Sequence, residues 1–438
     1  MRRICIDGFN LALRKGSGIA TYGRNLNIGL KALGYETHIL HGPPGRIGAN
    51  NLLNEVALED AQVHQTRPSW WERYSAAAKS PWGRIARKVE RSGRVLPSPA
   101  TLRAVTDVTW ASQDVFHRAN QAYETYKTFT PVYLSAPARE RPQVMHWTSP
   151  MPLKVRGPAN IYTIHDLVPL RLPFTTLDVK RRFYFMCKRI CRTADHIVTV
   201  SESARRDIID MFGISEDRIT NTYQAASLPP ALLARDDEEI AREIEGVFGL
   251  GWKRYFLFFG AIEPKKNLGR VIEAYLSSGV TDPLVIIGGA AWLDELETKM
   301  IYEDLVVVQT LKDGMIRRAD RIRRYDYLPL HSLVSLIRGA KATLFPSLYE
   351  GFGLPVLESM MLGTPVLTST AGSLPEVAAD AALSVDAYDL DAIVRGIRTL
   401  DADADLRAEL SKRGRVQAAK FSPEAYSQKL GATYERLF

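Results

Sequence analysis

Short apolar runs, each closed by a glycine-containing turn and followed by a stretch with helical spacing, recur along the 438 residues. The first run covers 4–7. After it come Gly8, a Gly16-Ser17-Gly18 loop and an apolar stripe that predicts a helix over 20–33, stopped at Gly34. Similar runs cover 35–41, 161–164, 197–200 and 219–223, the third ending in His165-Asp166 and the fourth in Ser201-Glu202-Ser203. Runs this short and continuous read as parallel strands buried on both faces. The pattern restarts at 255–260 and continues through 284–287, 305–308 and 342–345, with helices predicted over 236–245, 331–339 and from Ser422-Pro423 to the end. Strands alternating with helices predict an α/β chain with parallel sheets. The length suits two cores. Leu228-Pro229-Pro230 reads as the linker, giving units 1–228 and 229–421 and a last helix over 422–438.

The most informative stretch is Leu344-Phe-Pro-Ser-Leu-Tyr-Glu350-Gly-Phe-Gly-Leu-Pro-Val-Leu-Glu358. A buried strand stops at Pro346-Ser347, and Gly351 and Gly353 flank Phe352 in a loop that lets backbone N–H groups approach a ligand. Pro355 suits the first turn of a helix whose apolar face is Val356, Leu357, Met360 and Met361, with Glu358 expected on that turn. Strand end, glycine loop and helix N-terminus together form a phosphate-binding arrangement. A second such unit follows, from Gly363-Thr364-Pro365-Val366 to Gly372-Ser373-Leu374-Pro375-Glu376-Val377. Adjacent units of this kind build one crevice at the carboxyl ends of the strands. Upstream, Gly260 and the pair Lys265-Lys266 follow another strand, where lysines suit a pyrophosphate.

Between 43 and 142 the periodicity weakens to helical pieces, among them 52–58 and 74–89, broken by Pro and Gly. Residues 67–94 hold eight basic and two acidic residues with Trp70, Trp71 and Trp82 interleaved. Such a segment fits an anionic membrane surface, and fits equally a solvated insert whose indoles pack on the first domain.

Composition narrows the class. An apolar fraction of 46% with 24% charge describes a globular chain. No apolar run reaches the roughly 18 residues of a membrane span, and the first run breaks at Asp7, unlike a secretory leader. Three cysteines without a C-x-x-C fit free thiols in a reducing cytoplasm. A net charge of +8 calls for an acidic partner, but no nucleic-acid motif and no metal-ligand spacing is present.

The text F-P-S-L-Y-E-G-F-G-L-P, M-L-G-T-P-V, G-S-L-P-E-V, G-A-I-E-P-K-K-N-L and T-I-H-D-L resembles the retaining glycosyltransferases of family 4. The resemblance covers about 1–42, 143–230 and 250–438, leaving 43–142 as an insert. It implies a GT-B fold, two Rossmann-like domains facing across a cleft, with a terminal helix crossing back to the first. It also implies roles. Glu358 would bind the nucleotide ribose. Glu350, with Phe352, Gly353 and Leu354, would face the donor sugar. Lys265 and Lys266 would hold the pyrophosphate, with Gly16 and Gly18 beside the donor phosphates and His165 at the reaction centre. His146 is a second candidate, although Thr148 stands where relatives carry another histidine. No metal or other cofactor is expected. The resemblance points to a GDP-sugar, GDP-mannose first and a UDP-sugar second, and to a lipid-linked oligosaccharide or lipopolysaccharide acceptor. A sugar-nucleotide epimerase of related fold and a catalytically silent sugar-nucleotide-binding subunit are the rival readings.

Overall fold

The computed structural model describes residues 2–11, 18–60, 83–97, 106–289, 307–312 and 315–438, the hairpin 307–320 through its backbone only. Two sheets face each other. The first is built from β1 (Arg3–Asp7), β2 (Glu36–His41), β3 (Arg84–Val89), β4 (Val108–Ala111), β5 (Thr130–Ser135), β6 (Val144–Trp147), β7 (Leu153–Val155), β8 (Ala159–Thr163), β9 (His196–Thr199) and β10 (Ile219–Asn221). Their order is β10-β9-β8-β6-β1-β2-β4-β3-β5-β7. Every pair is parallel except β3 with β4. The second sheet contains β11 (Phe256–Phe259) and β12 (Leu284–Ile287). After the antiparallel hairpin of β13 (Val307–Lys312) and β14 (Met315–Asp320) it gains β15 (Ile322–Tyr325), β16 (Ala342–Phe345), β17 (Val366–Ser369) and β18 (Leu383–Val385). Its order, β15-β12-β11-β16-β17-β18, is parallel throughout.

The helices that shape the cleft and the outer surface are α1 (Gly18–Ala32), α2 (Asn51–Glu59), α3 (Lys180–Thr193), α4 (Glu202–Phe212), α5 (Leu354–Met361), α6 (Leu374–Ala378) and α7 (Pro423–Glu435). Local chemistry accounts for several boundaries. Ser201 accepts from the Ala204 N–H at 3.0 Å and starts α4, which ends at Gly213 in the left-handed region. Ser422 caps α7 in the same way, and Pro355 sits in the first turn of α5.

Four expectations are corrected. Residues 84–89 form a strand, not the end of a helix; β3 pairs with β5 through Arg84–Arg87 and with β4 through Arg87–Val89. That change of partner leaves Ala86 and Val89 as the buried positions, a spacing of three that imitates a helix. The third strand of the second sheet is β15, while 307–312 forms half of the separate hairpin. Glu358 is the fifth residue of α5, just past the first turn. Residues 43–142 supply β3, β4 and β5, so this stretch is woven into the first sheet.

α7 returns to the first sheet and packs on α1. Tyr426, Leu430 and Tyr434 are buried with Tyr22, Leu26 and Leu30 in one core that runs on into the second sheet. The chain therefore passes between the two sheets twice, after β10 and just before α7. The two crossings touch: the Tyr223 and Phe421 rings stand edge-on at 5.3 Å, and Phe352 completes the group at 6.3 and 5.6 Å.

Candidate active site

The carboxyl ends of both sheets meet at one cleft. From the second sheet, the turn after β11 brings Lys265 and Lys266, and the loop after β16 brings Glu350. Glu350 lies 3.6 Å from the Lys265 ammonium and 3.4 Å from that of Lys266, and it accepts from Ser347 Oγ at 3.2 Å. Glu263 stands 3.8 Å from Lys265. Burial disfavours charge on Lys265, yet Glu350, Asp166 and Glu263 outweigh it and hold this ammonium above its ordinary range. Burial likewise works against Glu350, and the two lysines overcome it, keeping the carboxyl below its usual value.

Glycines allow this packing. Gly288 lies against the Gly260 carbonyl, 1.9 Å from where a Cβ would stand, and the Gly372 backbone crowds the Glu350 carbonyl. Ser373 donates to that carbonyl from its N–H and its hydroxyl. Glu358 is half-buried, and its carboxylate makes no hydrogen bond or ion pair among the described residues. Burial, opposed weakly by Lys266, pushes its carboxyl up to about 7.

From the first sheet come three strand ends. His165 follows β8, is half-buried, and its Nε2–H donates to the Thr148 carbonyl at 2.8 Å. Burial lowers the His165 pKa against the pull of that carbonyl and of Asp166, so the ring is neutral near pH 7. Thr148 is itself held by Asp7, whose buried carboxylate accepts the Thr148 N–H and, at 3.2 Å, that of Phe9. Burial raises the Asp7 carboxyl to about 6 in spite of these bonds.

The two halves touch. A Cβ on Gly351 would lie 2.7 Å from Asp166 Oδ2 and 2.9 Å from the His165 carbonyl, so Gly351 meets the H-D turn directly. Gly18 opens α1 opposite Leu354, 4.0 Å from a Cβ position, which brings those two predicted residues together across the cleft. Gly16 lies outside the described residues. Tyr349 donates to Asp207 of α4, which also receives Arg171 at 2.6 Å. Glu376 of α6 accepts the N–H groups of Glu202 and Ser203 at 3.0 and 3.1 Å, where the α4 dipole favours an anion.

One candidate lies elsewhere. His146 is fully buried, bonded to the Tyr434 hydroxyl and, at 2.8 Å, to Thr163 Oγ1; burial lowers its pKa to about 3. It pins α7 to the first sheet and does not reach the cleft. The Phe352 ring is buried on Tyr223 and Phe421, so that it is its backbone, the group expected to face the sugar, that the loop presents. Asp166, Glu376 and Tyr349 were missed as site residues although each adjoins or belongs to a motif quoted above. Asp7 and Asp207 carried no local signal. Among the described residues no cluster of His, Cys, Asp and Glu is arranged to hold a metal ion.

Residues 248–417 match the family model for glycosyl transferases group 1, and 97–223 match that for glycosyltransferase family 4. O-antigen chain mannosyltransferase B of Escherichia coli is 34% identical over 271 residues, 60% of this chain and 67% of that protein. Serotype-specific mannosyltransferase WbdA of Escherichia coli is 29% identical over 262 residues, and the match spans 31% of its length. Among solved structures, a sucrose-phosphate synthase from Thermosynechococcus elongatus superimposes with a TM-score of 0.66 at 16% identity, covering 100% of this chain and 99% of that one. With two opposed parallel-rich sheets, a cleft at their carboxyl ends and a returning terminal helix, the chain has the GT-B fold and belongs to the group 1 and family 4 glycosyltransferases.

Proposed function

We propose that this glycosyltransferase moves mannose or a related hexose from a GDP-linked donor, with retention of configuration, to a surface polysaccharide or its lipid-linked precursor. The observation that carries the reading is the cluster of Lys265, Lys266 and Glu350 beside the N-terminus of α5, facing His165 and Asp166. The lysines and loop amides neutralise the departing diphosphate, where charge develops as the glycosidic bond breaks. The Glu358 carboxylate, without a hydrogen-bond partner among the described residues, accepts the ribose hydroxyls. Glu350 and the backbone of Phe352 to Leu354 orient the sugar, and the neutral His165 ring contacts it from the first domain. The leaving phosphate deprotonates the acceptor hydroxyl on the same face, so no enzyme nucleophile takes part, and turnover persists in EDTA.

Mannose is preferred because both curated relatives named above are mannosyltransferases. Residues 1–228 serve the acceptor, 229–421 the donor, and 422–438 tie the two. The described helices include none long and apolar enough to cross a membrane, and the enzyme acts at the cytoplasmic face. Thermal shift with GDP, UDP and dTDP tests the base: GDP should stabilise most, because bound ligand stabilises by mass action. A larger shift with UDP would reassign the donor. Release of an epimer from sugar nucleotide without acceptor would favour the epimerase. Lys266→Ala should fold and bind nucleoside but lose turnover; full activity would remove it from the diphosphate site.

A further inference from the structure

Outside the cleft, one surface combines exposed apolar side chains with unpaired positive charge. Phe174, Leu177 and Val179 are 64, 68 and 65% exposed on the segment entering α3, and Phe185 on that helix is 49% exposed. Water-exposed rings and branched side chains this close together form a patch, unlike apolar residues scattered singly. The helix explains the arrangement. Met186, Cys187, Ile190 and Cys191 face the core, so Arg181, Phe185, Lys188 and Arg192, spaced by four, three and four residues, share the outward face.

Residues 171–193 carry seven basic residues and one acidic. Among the described residues, Arg182 is the one residue of α3 that reaches a carboxylate, Glu124. Among the described residues, Lys188 meets the Tyr184 hydroxyl and ring, Arg189 the Lys127 carbonyl, and Arg181 the Phe185 ring, so these charges stay uncompensated. The other apolar exposure of similar density, Leu52, Leu53 and Val56 on α2, has Glu55 and Glu59 beside it and no cation on its helix. Its charge is wrong for an anionic surface. Of the basic stretch 67–94 singled out from the sequence, 67–82 with Trp70, Trp71 and Trp82 lie outside the described residues, and 84–89 are bound into the sheet as β3, where Lys88 lies near Glu90 and Glu140.

We propose that α3 and the segment Phe174 to Val179 form a docking surface for an anionic lipid bilayer. The apolar side chains enter the acyl boundary, and the outward cations meet the headgroups. The surface begins a few residues beyond His165-Asp166, and Arg171 between them is anchored to Asp207, so docking brings the first-domain lip of the cleft to the membrane. Docking itself does not depend on the donor or the reaction, and it is measured without either.

The test is flotation of the full chain with phosphatidylglycerol-rich vesicles and with pure phosphatidylcholine, in the absence of sugar nucleotide. Wild type should float with the first and not with the second. A cation near an anionic surface is worth about a fivefold change in partition. Arg181→Gln with Lys188→Gln and Arg192→Gln should therefore weaken recovery by on the order of a hundredfold, with the loss shrinking at high salt. Phe174→Ser with Phe185→Ser should lower recovery at low and high salt alike. None of these five side chains is buried, so both variants should melt with wild type. Failure of wild type to float, or equal recovery of wild type and either variant, overturns the proposal. So does displacement from vesicles by duplex DNA at equal charge, which would make the face a nucleic-acid surface.

Discussion

Replacing Gly351 by alanine separates closure of the cleft from folding. Gly351 has no positive φ, so alanine fits its backbone. The three atoms nearest to the added Cβ all belong to the other domain: Asp166 Oδ2 at 2.7 Å, the His165 carbonyl at 2.9 Å and Asp166 Cβ at 3.0 Å. The carboxylate can swing aside, but the carbonyl is main chain. A carbon approaches a carbonyl oxygen no closer than about 3.3 Å, so the two halves must part by roughly half an ångström there. Misplacing reacting groups by about 1 Å costs about a hundredfold in rate. Half of that displacement predicts a fall in kcat of about tenfold. The diphosphate cluster lies on the second domain alone, so the Kd for GDP, read by calorimetry, should not change, nor should the melting temperature. Wild-type kcat would refute the idea that this closed arrangement is the reactive one. Loss of GDP binding would mean that the added methyl displaces the donor loop and not the facing domain.

Glu350→Gln leaves two ammonium groups without the carboxylate that lies within 3.6 Å of both. Breaking a buried pair from one side costs about 3–5 kcal/mol, so scanning fluorimetry should show a lower melting point for the free enzyme and a larger gain with GDP than in wild type. Glu358 titrates near 7 in the fold, well above its ordinary 4.5, because burial disfavours its charge. The native state thus binds the proton over a range where the unfolded chain has lost it, and stability falls as pH rises through that window. Glu358→Gln should accordingly be the more stable protein above about pH 8 and match wild type below about pH 4; equal denaturation midpoints at both would refute the shift. Tyr434→Phe leaves a buried His146 nitrogen unsatisfied and should cost about 1–3 kcal/mol in urea unfolding; an unchanged midpoint would mean that α7 is held by packing alone.

β1, β2, β8, β9, β10, β11, β12, β16 and β17 were legible because a buried parallel strand is a short apolar run, and caps such as Ser201 are chemically explicit. β3 and β15 were not, nor were β4, β5, β6, β7 and β18. The first takes its burial pattern from two partners in turn, and β15, Ile-Arg-Arg-Tyr, is an edge strand with one buried residue. In the site, the second-domain half could be read from contiguous text, since strand, loop and helix follow one another within fifteen residues. Cross-cleft pairs could not. Tyr349 finds Asp207 at a separation of 142 residues and Glu376 finds the α4 N-terminus at 174, and nothing local to α4 announces either.

The aromatic contact among Tyr223, Phe352 and Phe421 governs how the enzyme can open. Two bodies joined by widely separated strands swing only about the line through both attachments. Here both attachments pass through one spot, so the connection behaves as a ball joint, and displacement grows with distance from it. Phe352 sits at that joint and belongs to the donor loop. The loop therefore works on a short lever arm, and so does the Glu376 contact with α4, because Asn221 ties Glu202 to the Tyr223 N–H. The grip on the nucleotide can persist through the swing, while the parts of the cleft farthest from this joint open most.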